Sequence, residues 1–177
     1  MTGQREFVIS FGNLGEGEHE FEYRIGDSFF QKFEHSRVVK GNVEVLVIVE
    51  RQENMLLLDF TMDGELTLSC DRCLEDLELE MESFNELIVK FGDVKEMEEV
   101  SEDVIILPAK ESELDISRFI YEYIMLLIPM RNVHEDEEGN PACDPEVMKD
   151  LSKHGINTDG EHKIDPRWDI LKNINLN

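Results

Sequence analysis

Apolar residues alternate with polar ones at positions 66, 68 and 70, and again at 77, 79 and 81. A period of two sends successive side chains to opposite faces, so both stretches predict β-strands. Other runs read the same way. Phe7–Phe11 is short and apolar, Phe21 and Tyr23 alternate with charges, and Val43–Val49 is the clearest β-branched run. Gln52, Glu53 and Asn54 interrupt it, and Met55–Thr61 follows as another strand. Asp63-Gly64 lies between apolar runs, a pair suited to positive φ, and predicts a hairpin turn. Leu77–Phe91 predicts a long strand that completes a meander. Ser28–Phe33 fits either a helical turn or an irregular crossing.

After Pro108 the period changes. Leu114, Ile116, Phe119, Ile120, Tyr123, Ile124, Leu127 and Ile128 recur at three and four. That spacing predicts an amphipathic helix of about four turns, ended by Pro129, with its apolar stripe on the sheet and with Tyr121 and Glu122 facing away. Asp144-Pro145 and Asp165-Pro166 each pair a capping aspartate with proline at the first helical position, and so predict two short helices. Residues 152–164, with Gly155, Asn157 and Gly160, read as a link. The expected fold is α+β. An antiparallel, barrel-like β-sheet fills the N-terminal two-thirds, followed by one main amphipathic helix and short C-terminal helices. Residues 1–107 form the β-rich part and residues 108–177 a helical part packed on it as one structural unit.

Charge narrows the function classes. The 177 residues carry 41 acids against 17 Lys and Arg, a formal net charge of −24. A nucleic-acid binder needs cations to displace counterions from phosphates, so direct, charge-driven binding to RNA is not expected. A basic protein partner suits this balance better. The acids concentrate in residues 75–104, where twelve stand against Lys90 and Lys95. Residues from about 92 to 103 read as a solvated acidic loop. The N-terminus has no apolar leader core, and the longest apolar run, Tyr123–Met130, is far shorter than the ~20 residues that span a bilayer. Three cysteines make no complete disulfide set. A soluble, cytoplasmic protein with no membrane association is expected.

The strands flanking Cys70-Asp71-Arg72-Cys73 put this Cys-x2-Cys at a strand–turn–strand knuckle, where both sulfurs can face one metal ion. A redox Cys-x2-Cys instead opens a helix, and no helical pattern follows Cys73. His134 and Cys143 are the nearest candidates for the other two ligands, giving a Cys3His set suited to structural zinc. The alternative is three unrelated thiols and a surface imidazole. His134-x8-Cys143 is looser than a standard knuckle, and no glycine follows Cys73. No phosphate loop or nucleophile–base pair is present, so no catalytic residue is assigned and no enzyme is expected.

Taken in order, Cys70-x2-Cys73-Leu74, the acidic stretch, Leu114-Asp115-Ile116, the helix closing on Leu127-Ile128-Pro129, His134…Cys143 and Asp165-Pro166-Arg167 with Leu171 resemble the YceD family. The family is tied to accumulation of large-subunit ribosomal RNA. The resemblance runs from about residue 40 onward. Family members often carry a second Cys-x2-Cys after the helix, and others a His…Cys there. The resemblance implies a non-enzymatic accessory role in large-subunit biogenesis. Acidic surfaces around Glu96–Asp103 and Glu135–Glu138 would engage a basic ribosomal protein or an assembly factor. A metal-stabilised cytosolic adaptor unrelated to ribosomes is the alternative.

Overall fold

The fold is that of a computed structural model whose described residues are 6–154. Its centre is a six-stranded sheet in the order β2-β3-β4-β5-β7-β6. The strands are β2 (Gly17–Ile25), β3 (Val38–Arg51), β4 (Met55–Ser69), β5 (Asp76–Gly92), β6 (Glu98–Ser101) and β7 (Val104–Pro108). A separate two-stranded ribbon pairs β1 (Val8–Ile9) with β8 (Leu114–Asp115). Helix α1 is a single turn at Asp27–Phe30, α2 spans Ser117–Leu127 and α3 spans Pro145–His154.

The alternation in sequence becomes two unlike sheet faces. Val43, Val45, Val47 and Val49 of β3 share the inner face with Leu56, Leu58, Phe60 and Met62 of β4, and all are buried. Leu87, Val89 and Ile105 continue that face across β5 and β7. Each such side chain contributes about 1.5–3 kcal/mol when fully buried, before entropy is charged against it. Phe119, Ile120, Tyr123 and Ile124 of α2 complete the core, with the Tyr123 ring edge-on to Phe60 at 5.4 Å. Phe29 and Phe30 of α1 fill the neighbouring volume, and the Phe30 ring lies where a side chain at Gly41 would stand. The outer face carries rows of acids, of which Glu44, Asp63 and Glu82 lie in register across three strands.

Several expectations are corrected. The sheet does not close into a barrel, since β2 and β6 are its edges. Nor is it wholly antiparallel: the chain leaves β5, forms β6 at the edge, and returns as β7 between them, parallel to β5. Asp63-Gly64 makes no turn. β4 runs straight through it, and Gly64 lets the backbone of Asn42 and Val43 approach to a distance that no Cβ would permit. The β3–β4 connection lies at Gln52–Asn54, where the sequence placed the break, and Gln52 N–H donates to the Met55 carbonyl at 3.0 Å. The acidic stretch is not all loop, because Glu98–Ser101 forms the exposed edge strand.

The main helix is shorter than its apolar period suggests. Leu114 and Ile116 are two apart, so they satisfy a strand as well as a helix, and the partner β1 decides for strand. Asp115 Oδ1 accepts the Ser117 N–H at 2.9 Å and so opens α2. Tyr121 does not face away; its ring stacks on Phe33 at 3.8 Å. The helix expected after Asp144 is present, with Asp144 Oδ1 accepting the Glu146 N–H at 2.7 Å. The helix expected after Asp165 lies outside the described residues.

Candidate metal centre

β4 carries its inner-face alternation one step past its end, so Leu66, Leu68 and Cys70 all point inward and all are buried. The chain then reverses within Cys70–Glu75. Leu74 N–H donates to the Cys70 carbonyl at 2.9 Å, and Cys70 N–H to the Glu75 carbonyl at 2.8 Å. Arg72 N–H points at Cys70 Sγ, 3.5 Å away. The reversal needs a left-handed residue after Cys73, and Leu74 supplies it at φ 64°. Glycine would take that conformation without strain.

The other half comes from the segment after α2. Asn132 is buried, and its side-chain amide donates to the Pro129 carbonyl at 2.8 Å, which shapes the helix exit. Asp71 and Asn132 then button the two halves together. Asp71 N–H donates to the Asn132 carbonyl at 2.7 Å, and Asn132 N–H donates to Asp71 Oδ2 at 2.7 Å. The long His134–Cys143 gap closes because its residues fold on themselves. Ala142 N–H donates to the His134 carbonyl at 2.9 Å, and Asp136 Oδ1 caps the tip by accepting the N–H groups of Glu138 and Asn140. Those bonds, led by Asn140, hold the Asp136 carboxyl below its ordinary range.

All four sequence-nominated residues therefore meet. The sulfurs of Cys70, Cys73 and Cys143 and a ring nitrogen of His134 all lie within 4.8 Å of one another. Cys70 and Cys143 Sγ are 3.8 Å apart; His134 Nδ1 is 3.3 Å from Cys73 Sγ and 4.0 Å from Cys143 Sγ. Tetrahedral bonds of ~2.3 Å to sulfur and ~2.0–2.1 Å to nitrogen imply ligand separations of about 3.5–3.8 Å. The cluster is thus close to the shape a single ion requires. His134 Nε2 lies 3.1 Å from the Asp76 carbonyl, so the proton belongs there and Nδ1 turns its lone pair toward the sulfurs.

The thiols also bear the electrostatic mark of shared charge. Burial pushes Cys70 up, but the backbone N–H groups of Cys73, Arg72 and His134 outweigh it and bring the thiol down to about 6. Cys73 moves the other way, to about 11, through burial and then the neighbouring thiols of Cys70 and Cys143. The pocket stabilises a first thiolate and resists a second. A divalent cation would reverse that resistance. Asp71, Asn132 and the Asp76 carbonyl were not singled out from sequence. The available signals were an acid inside the Cys-x2-Cys turn and a lone amide between Pro129 and His134.

A family model described as large ribosomal RNA subunit accumulation protein YceD matches residues 58–175, two-thirds of the chain and all four cluster residues. The chain belongs to the YceD family. Among relatives, the uncharacterized protein YlbN of Bacillus subtilis (strain 168) is 28% identical over 136 residues, covering 77% of this chain and 72% of YlbN. No solved structure matches. Among the described residues, no helix is long and apolar enough to cross a membrane.

Proposed function

We propose that this YceD-family chain is a non-enzymatic, cytoplasmic accessory protein of large ribosomal subunit biogenesis, acting through a basic protein partner. The observation that carries the reading is the family match across residues 58–175, whose description names accumulation of large ribosomal RNA. The net charge of −24 supports a protein partner over bare RNA, since phosphate would meet repulsion rather than counterion release. The Cys3His cluster supports a structural role for a metal, with zinc as the ion that favours three thiolates and one imidazole in a tetrahedron. Four protein ligands close the coordination shell and leave no position for a substrate, which is the arrangement of structural sites. Cys70, Cys73, His134 and Cys143 would hold the ion; the ion would fasten the β4–β5 knuckle to the segment after α2.

The cellular test is the ratio of mature large- to small-subunit ribosomal RNA in a strain lacking the gene. A lowered ratio, restored by the wild-type gene, is expected. An unchanged ratio across growth temperatures would contradict the reading. Gel-shift titration with ribosomal RNA at about 150 mM salt tests the partner class. Weak binding is expected; sub-micromolar, salt-sensitive binding to RNA alone would replace the protein partner with RNA.

A further inference from the structure

A sheet that meets water on one face carries polar residues there. The outer face of this sheet does so only in part. Leu46 and Ile48 of β3, Leu57 of β4, Phe84 and Ile88 of β5 and Ile106 of β7 alternate with the buried residues of their strands, and so stand on the outer face. Cross-strand register gathers them into one band: Leu57 pairs with Ile88, and Thr61 lies between Leu46 and Phe84. Phe84 is 69% exposed, and the other five are half-buried. A cavity of about 450 Å³ opens at one end of the band, lined by Leu46 and Thr61 together with Glu22, Glu44 and Asp63. Asp59, Glu82 and Glu86 add acids on the same face. A continuous apolar band rimmed by charge marks a surface that another segment covers.

The chain itself holds a segment of complementary chemistry. The sequence runs on from His154, the last described residue, to Asn177, and the family match extends with it to residue 175. Trp168, Leu171 and Ile174 recur at three, just after the Asp165-Pro166 pair that predicts a helix start. Lys163, Arg167 and Lys172 outnumber Asp165 and Asp169 there, in a chain whose acids outnumber its Lys and Arg by 41 to 17. We propose that residues 164–176 cover the outer band, with Trp168, Leu171 and Ile174 on its apolar residues and Arg167 and Lys172 beside its acids. The tether is long enough. Residues 155–164 reach up to ~33–36 Å when extended. A compact chain of this length has a radius of gyration of about 16 Å, so either face of the sheet is within range. Tethering also supplies the segment at an effective concentration on the order of millimolar, so a modest contact suffices. A second copy of the sheet would set acids against acids, and an anionic membrane would meet the same repulsion.

The chain has one tryptophan, so Trp168 reports on this segment directly. The test is acrylamide quenching of Trp168 fluorescence in the full chain, with N-acetyltryptophanamide as the fully exposed reference. Phe84→Glu and Leu57→Thr alter the band. Arg167→Glu/Lys172→Glu alters only the segment and leaves the sheet untouched. Leu126→Ser is the control, an exposed apolar residue of α2 on the opposite side of the sheet. Circular dichroism checks folding of each variant. Wild-type Trp168 is expected to be shielded, with blue-shifted emission. The band and segment variants are each expected to raise quenching about threefold, with the control within about 1.5-fold of wild type. Shielding is also expected to persist through about a hundredfold dilution, since the contact is within one chain. Wild-type quenching equal to the reference compound would overturn the proposal. So would shielding that the band and segment variants leave unchanged, or that the α2 control removes equally, because the segment would then lie elsewhere. Shielding lost on dilution would replace the chain's own segment with that of a second copy and would overturn it too.

Discussion

At its first residue β5 meets the Cys3His cluster, and past its midpoint it borders the acidic cavity under α2. Each region holds one buried polar atom without a hydrogen-bond partner, and they differ in how their other polar groups are arranged. Around the cluster, hydrogen bonds of Asp71, Asn132, the Asp76 carbonyl and the knuckle amides aim three sulfurs and one nitrogen at a common point, while Arg72 Nη1 in the same knuckle is buried without a partner. At the cavity, the Tyr123 hydroxyl is sealed behind the wall without a partner, and the Glu102 and Asp103 carboxylates make no ion pair among the described residues. The contrast teaches what each region can be. A closed set of four converging ligand atoms is suited to a structural ion. The half-open cavity under α2 instead keeps its acids at the surface, beside exposed Val100 and Leu126.

If the cluster is structural, breaking it should matter most. Cys73→Ser or Cys143→Ser should abolish metal binding and lower the stability of the metal-loaded protein by on the order of 5 kcal/mol. Hydrogen exchange should show lost protection in residues 130–145 while the strands at 43–61 keep theirs. Global unfolding of those strands would mean that the sheet itself depends on the ion.

The supporting bonds come next. Asp71→Ala removes the carboxylate that takes the Asn132 N–H and also faces Arg37 at 3.4 Å. Metal affinity should fall about 10- to 100-fold, because groups behind the ligands set their orientation. Competition with a chromogenic chelator reads this directly, and an unchanged affinity would reduce Asp71 to a surface acid.

Proton linkage gives a graded test. With Cys73 near 11, its thiol is protonated at pH 8 and must lose that proton to bind a metal. The Cys143 thiol must be deprotonated as well, and with Cys70 near 6 the Cys70 proton joins the balance only below that pH. Affinity should therefore fall by at least about tenfold per unit as pH drops, and more steeply below about pH 6. Calorimetry in buffers of different ionisation enthalpy checks the proton count. The smallest effect should come from Leu74→Gly. It relieves the positive φ after Cys73 but adds freedom to the unfolded chain, for a net gain of about 0.5–1 kcal/mol in chemical denaturation.

The same comparison shows what could be read from residues alone. The knuckle was legible because its information is local: alternating strands on both sides and two cysteines at the turn between them. His134 and Cys143 were legible as types, but the eight-residue return between them closes through Asp136 bonds that no periodicity encodes. The cavity was not legible. It depends on β7 returning parallel to β5, which puts Asp103 near Tyr123, and on a helix that starts at Ser117 rather than near Ser112. Asp63-Gly64 misled for a related reason. A glycine that serves a turn also serves close approach between strands, and the register with Asn42 and Val43 selects the second use.

The central claim is that one ion joins the knuckle to the segment after α2. X-ray absorption at the zinc edge, on protein purified without chelator and with metal content measured on the same sample, tests it most directly. The account predicts about one zinc per chain, with three sulfurs at ~2.3 Å and one nitrogen at ~2.0–2.1 Å. Fewer than about 0.2 ions per chain, or a shell of oxygen and nitrogen without sulfur, would contradict it and leave Cys70, Cys73 and Cys143 as free thiols beside an imidazole.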